Sequence, residues 1–281
     1  MKKVEIRHVW QHNLESEFAL MQSMIRYYPF LSIDTEFPGT VFQYSDIHTP
    51  LPTPASKYKL MKANVDNTNI IQLGLTLSDN NGNLPSFGNN SCYIWEFNFR
   101  DFDVHRDLQN ISSIQLLEKQ GIDFLKNKEK GIRSSDFSLL WHKSSLLSKK
   151  SQLTWVGFHS AYDFGYLIKM LTDDWLPPDI NSFMCMMDIY FGKKVYDIKS
   201  MIRVSRGIYG GLERVANKLG VDRVAGKSHQ AASDSLLTWQ TFQKLTHVYY
   251  TSMLGEDNFS LDLRDLDWSQ RVLYGLEVEA H

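Results

Sequence analysis

Between Glu15 and Tyr28 the apolar residues Phe18, Met21, Met24, Ile25 and Tyr28 recur every three or four positions, which is helical spacing. Pro29 closes that helix, and Phe30-Leu31-Ser32-Ile33 opens a strand that runs to Glu36. Pro38 cannot donate to a ladder and Gly39 is free to turn, so the strand ends there. Ile70 to Ser78 and Ser91 to Arg100, the second rich in aromatic residues, read as further strands. Leu153 to Phe158 is a fourth, short and apolar. The pattern from Ile111 to Leu147 is helical, with Gly121 and Gly131 as stops. More helices are predicted over Phe164 to Leu171, through Phe183, Met186, Met187 and Tyr190, over Leu212 to Leu219, and from His229 to Tyr250. Val195 to Lys199 is a short strand or a helix entry. Met1 to Glu17 is polar, with no apolar core of a signal sequence. Thr40 to Asn64 holds Pro50, Pro52 and Pro54, then Lys57, Lys59 and Lys62, and is predicted as a loop.

Three strands joined by short polar connections predict an antiparallel meander, and a later strand feeding helices predicts parallel additions. The fold class is therefore α/β, a mixed sheet flanked by helices. Nothing linker-like interrupts the 281 residues, and 43% hydrophobic content can fill one core, so residues 1–281 are read as a single domain. Thirty basic against 32 acidic residues leave a net charge of -2, so a nucleic-acid partner has to be held by local patches or metal. Two such patches are Lys57, Lys59 and Lys62, and Lys193, Lys194, Lys199, Arg203 and Arg206. No stretch approaches the ~18 apolar residues of a membrane helix, so no membrane partner is expected. Cys92 and Cys185 lack metal-ligand spacing and read as reduced intracellular thiols.

Asp34 and Glu36 end the first predicted strand on one face, their Cα atoms ~6.6 Å apart along it. Two acids there are costly unless a cation sits between them. Asp163 follows the fourth strand, and Asp234 stands near the start of the last helix, with His229 five residues ahead. Five residues of helix turn the chain ~500°, so His229 and Asp234 can act together only if His229 precedes regular helix. Asp163 alone reads equally well as a helix N-cap. Four carboxylates with no thiolate or histidine cluster favour Mg²⁺ or Mn²⁺ over zinc. Two such ions ~4 Å apart clamp the attacking and leaving oxygens of a phosphoryl displacement, and a histidine can take the proton of the attacking water.

The set Asp34-x-Glu36, Asp163 and His229-x4-Asp234 resembles the DEDD exonucleases that keep the histidine. The flanking words narrow the likeness. Asp34-Thr-Glu-Phe-Pro-Gly39, Ile71-Gln-Leu-Gly-Leu75, Phe158-His-Ser-Ala-Tyr-Asp-Phe-Gly-Tyr-Leu167, Tyr196-Asp-Ile-Lys199, Gly210-Gly-Leu212 and His229-Gln-Ala-Ala-Ser-Asp-Ser-Leu-Leu-Thr238 are similar to the Caf/Pop-type deadenylase subunit of the CCR–NOT complex, in its plant form. Ala232 stands where many members have glycine. The resemblance implies a ribonuclease H-like fold, two divalent ions, and 3′→5′ removal of mRNA poly(A) tails with release of AMP. It implies that Asp34 bridges the ions, Glu36 and Asp234 complete one, Asp163 holds the other, and His229 is the general base. Phe37 and His159 are candidates for contact with the terminal nucleotide. The implied partners are RNA, a Not scaffold and a second deadenylase, in cytoplasm and nucleus. The rival readings are a DEDD exonuclease for another nucleic acid and a chiefly scaffolding subunit.

Overall fold

The computed structural model describes residues 2–44, 52–88, 90–148, 150–204, 207–254 and 269–277. In chain order the elements are β1 (Lys3–Val9), α1 (Leu14–Met24), β2 (Phe30–Glu36), α2 (Pro54–Asn67), β3 (Gln72–Ser78), β4 (Ser91–Asn98), α3 (Ile111–Gln120), α4 (Phe124–Lys130), α5 (Ser134–Lys143), α6 (Ser145–Ser148), β5 (Thr154–Gly157), α7 (Ala161–Thr172), α8 (Ile180–Tyr190), β6 (Val195–Asp197), α9 (Ile198–Met201), α10 (Leu212–Lys218) and α11 (Ala231–Leu254).

The six strands form one sheet in the order β1-β4-β3-β2-β5-β6. The meander β2-β3-β4 is antiparallel, while β5 and β6 add in parallel on one side and β1 adds in parallel on the other. The α/β mixed sheet expected from the pattern is present. Alternation along β2 sends Leu31 and Ile33 into the core beneath α1, α2, α5, α7 and α8, where Phe97, Trp141, Trp155 and Phe164 pack. Phe30 faces the other way, with Val156, Trp239 and Phe242 under α11 and α10. The sheet is thus covered on both faces.

Two elements differ from the sequence reading. The polar-looking start contains β1, whose Lys-Val-Glu-Ile-Arg-His-Val run alternates in strand fashion. Val4 and Ile6 pack on Ile94 and Leu236 and Val9 enters the main core, while Lys3 and His8 are exposed. The predicted loop over Thr40 to Asn64 contains α2. Pro54 begins this helix, where its missing N–H costs nothing, and the Thr53 hydroxyl caps it by accepting from Ser56 N at 3.2 Å. Tyr58, Met61 and Val65, at spacings of three and four, are its buried stripe. The β2–β3 connection is therefore long and helical, and only its Pro50 falls outside the described residues with its neighbours 45–51.

Candidate active site

β2 outruns its parallel neighbour. β5 pairs with it only over Phe30–Ser32, so the backbone beyond is open on that side. Thr35 uses the opening: its N–H and its hydroxyl both donate to Asp163 Oδ1, at 2.7 and 2.6 Å. Asp163 lies in the first turn of α7, where the positive end of the helix favours a carboxylate. It is not the N-cap, a position held by Ser160. With Oδ1 engaged by Thr35, Oδ2 is the oxygen left to meet an ion.

On the opposite face, α11 presses its first turn directly onto the sheet. The approach depends on Gly74, opposite Asp34 in the β2–β3 register: a Cβ there would stand 1.9 Å from the Ala231 carbonyl oxygen. Ser32 Oγ donates to Ser235 O at 2.8 Å, and Thr76 Oγ1 meets Ser235 Oγ at 2.9 Å, fixing the turn that carries Asp234. Ala232 is fully buried against Ile94 and Leu236, so a methyl group is accommodated at this position. His229 precedes the helix in a left-handed conformation, φ 57°. Its N–H donates to Asp234 Oδ2 at 2.9 Å. The condition set by the five-residue spacing is met because the chain turns before α11 begins.

The acids therefore converge from both layers on the end of β2. Glu36, Asp163 and Asp234 are each 7% exposed, and Asp34 is half-buried. Burial first, then repulsion by Asp234, Asp163 and Glu36, holds the Asp34 carboxyl well above the ordinary carboxylate range. Burial, with Asp234 and Asp163 next, does the same to Glu36. Burial pushes Asp163 up to about 7 against the pull of its Thr35 hydrogen bonds. Burial also raises Asp234, opposed by Arg223, whose guanidinium lies 2.6 Å from Asp234 Oδ1 and 2.6 Å from Glu213. Glu36, His229 and Asp234 each offer one ligand atom, and these lie within 4.8 Å of one another. Buried acids that repel each other, hard oxygen donors and one imidazole fit a divalent cation such as Mg²⁺ or Mn²⁺.

Phe37 stacks on Tyr162, with ring centroids 5.4 Å apart and planes at 7°, and leans on Tyr166. It seals β2 against α7 beside the acids. His159 is exposed in the β5–α7 turn with φ 59°. Sequence reasoning missed Thr35, Gly74, Arg223 and Asp197. Asp197 accepts from the N–H groups of His159 at 2.8 Å and Ser160 at 3.0 Å. It stood in the quoted word Tyr196-Asp-Ile-Lys199, whereas Arg223 lies in a loop with no pattern to mark it.

The sequence pattern of the CAF1 family ribonuclease matches residues 9–137. Among curated proteins, the chain is 44% identical over 277 residues to the Arabidopsis thaliana protein named probable CCR4-associated factor 1 homolog 7, covering 98% of this chain and 94% of that one. It is 40% identical to poly(A) ribonuclease pop2 of Schizosaccharomyces pombe, over 96% of this chain and 75% of that protein. Among solved structures, S. pombe Pop2p in its Mg²⁺- and Mn²⁺-bound form superposes with a TM-score of 0.82 at 39% identity, covering 96% and 99% of the two chains. The yeast NOT1 MIF4G domain co-crystallized with CAF1 gives a TM-score of 0.74 at 32% identity, covering 96% of each chain. Matched along nearly its whole length at this level, the chain belongs to the CAF1 family of ribonucleases.

Proposed function

We propose that the protein is a poly(A)-specific 3′→5′ exoribonuclease that shortens mRNA tails and releases AMP, working as a catalytic subunit of a CCR–NOT complex. The observation that carries this reading is the convergence of Asp34, Glu36, Asp163 and Asp234 on one strand end, with His229 hydrogen-bonded through its N–H to Asp234. The relatives named poly(A) ribonuclease and Pop2p support the substrate and the two-ion chemistry. Asp34, repelled by the other three, would contribute to holding both ions, with Glu36 and Asp234 at one and Asp163 at the other. Bound ions would polarise the scissile phosphate and stabilise both the entering and the leaving oxygen. His229, exposed at the rim, takes the proton of the attacking water on a ring nitrogen, and the 3′ oxygen of the preceding nucleotide leaves. Phe37 and His159 contact the terminal nucleotide.

The test is incubation of purified protein with A-tailed RNA and Mg²⁺ or Mn²⁺. Wild type releases AMP, and Asp34→Ala slows release by at least about 10³-fold. Equal degradation by the two forms contradicts the reading, and equal rates on oligo(U) or single-stranded DNA contradict its substrate. CAF1 bound to the NOT1 MIF4G domain supports a Not scaffold as partner; a second deadenylase on the same scaffold belongs to the proposal. Capture of this chain by a MIF4G domain, retained in Asp34→Ala, is expected. A fluorescent fusion should distribute between cytoplasm and nucleus. Among the described residues no helix is long and apolar enough to cross a membrane.

A further inference from the structure

Beneath the β5–α7 turn lies a carboxylate that the chemistry above does not use. Asp197, the last residue of β6, is fully buried and gathers four backbone N–H groups from three segments of chain. Oδ1 accepts from His159 at 2.8 Å and Lys199 at 2.9 Å, and Oδ2 from Ser160 and Tyr274, both at 3.0 Å. Three of these donors carry side chains that meet above it. The His159 ring stands edge-on to the Tyr274 ring, centroids 5.0 Å apart. The Lys199 ammonium lies 5.5 Å from the centroid of Phe158 and 5.7 Å from that of Tyr274, and donates to Gly210 O. Lys57 closes the other side, its Cδ 3.6 Å from where a Cβ on Gly275 would stand.

Burial lowers the His159 pKa, and Lys199 and Lys57 lower it further against the pull of Asp197 and Glu277, which favours the neutral aromatic ring. Glu277 is itself held by Arg203 at 2.6 Å. Several other cations are held by carboxylates or lie elsewhere. Lys62 is bound by Asp66 and the Leu176 carbonyl, Arg203 by Glu277, and Lys193 and Lys194 precede β6 at the end of the strand away from Asp197. Aromatic faces beside ammonium groups are what single-stranded RNA uses for stacked bases and phosphates. This group begins four residues ahead of Asp163, and the Asp197 carboxylate beneath it lies close enough to repel that of Asp163.

We propose that His159, Tyr274 and Lys199, with Lys57 beside them, form a nucleotide-binding surface that receives the adenylate strand next to the scissile phosphate. The bases lie on the rings and the phosphates on the lysines. The proposal rests on the function given above.

Binding is read by fluorescence anisotropy of a labelled A-oligomer in Ca²⁺, in an Asp34→Asn background that removes turnover. The Asp197 hydrogen bonds come from main-chain N–H groups, so side-chain truncation leaves the anchor in place. Tyr274→Ala should weaken binding about fivefold or more, and Tyr274→Phe should restore it. Lys199→Met should weaken binding and reduce the slope of log K against log salt by about 0.7, with Lys199→Arg restoring both. Lys143→Met, at the far end of α5, should change neither. Unchanged affinity and slope in Tyr274→Ala and Lys199→Met overturn the proposal, as does an equal effect of Lys143→Met. A wild-type protein that binds the oligomer in this pattern but never releases AMP overturns the assigned function and leaves the surface standing.

Discussion

A carboxyl pushed up to about 7, as Asp163 is, releases its proton only near neutrality, so an ion that needs the carboxylate must displace that proton. Metal affinity should therefore rise at least about tenfold between pH 5.5 and 6.5, as measured by Mn²⁺ titration with electron paramagnetic resonance. A flat profile over that interval contradicts the site. Arg223 acts in the opposite sense on Asp234, countering part of the rise that burial imposes. Arg223→Gln should move the lower limb of the pH–rate profile up by about one unit, with the protein still folded by circular dichroism. At this scale the acids were legible because carboxylates at a strand end and a helix start break the local pattern. Thr35 was not, since a threonine in a strand is ordinary until its N–H is seen to lack a ladder partner.

Gly74 sets where α11 lies. Its hydrogen is the only substituent that lets the Ala231 carbonyl rest on β3, and Asp234 follows in the next turn. Gly74→Ala should cost about 3 kcal/mol or more in denaturant unfolding and weaken metal binding with it. Gly211→Ala, with no atom within 4 Å of the added methyl and an ordinary φ of -81°, should do neither. The amphipathic helices and apolar strands were legible from their periods. α2 was hidden because a proline reads as a breaker when it stands at the first turn as a starter, and β1 because an edge strand buries little. The β2–β3–β4 pairing was legible, but not α2, which lies between the first two strands.

Across the whole molecule, the four acids oppose folding whenever they lack a cation. In the unfolded chain they ionise near pH 4, while folded Asp163 holds its proton to about 7. Between those values the unfolded state binds fewer protons, so the stability of metal-free protein falls as pH rises, the Asp163 contribution being lost by about pH 7. An ion binding the ionised acids would reverse that loss. The gap in Tm between Mn²⁺-loaded and chelated protein should widen by about 5 °C from pH 5.5 to pH 7.5, read by differential scanning calorimetry. A constant gap contradicts it. The net charge of -2 gave no hint of this local stress, because it averages over a sheet end where acids collect and a neighbouring turn where lysines do. The close seat of α11 also bears on time. During synthesis Asp34 and Glu36 leave the ribosome long before Asp234, and β2 and β3 can pair while the helix that completes the cluster is still unmade. The four acids can therefore come together only after α11 has been made and Ala231 has settled over Gly74.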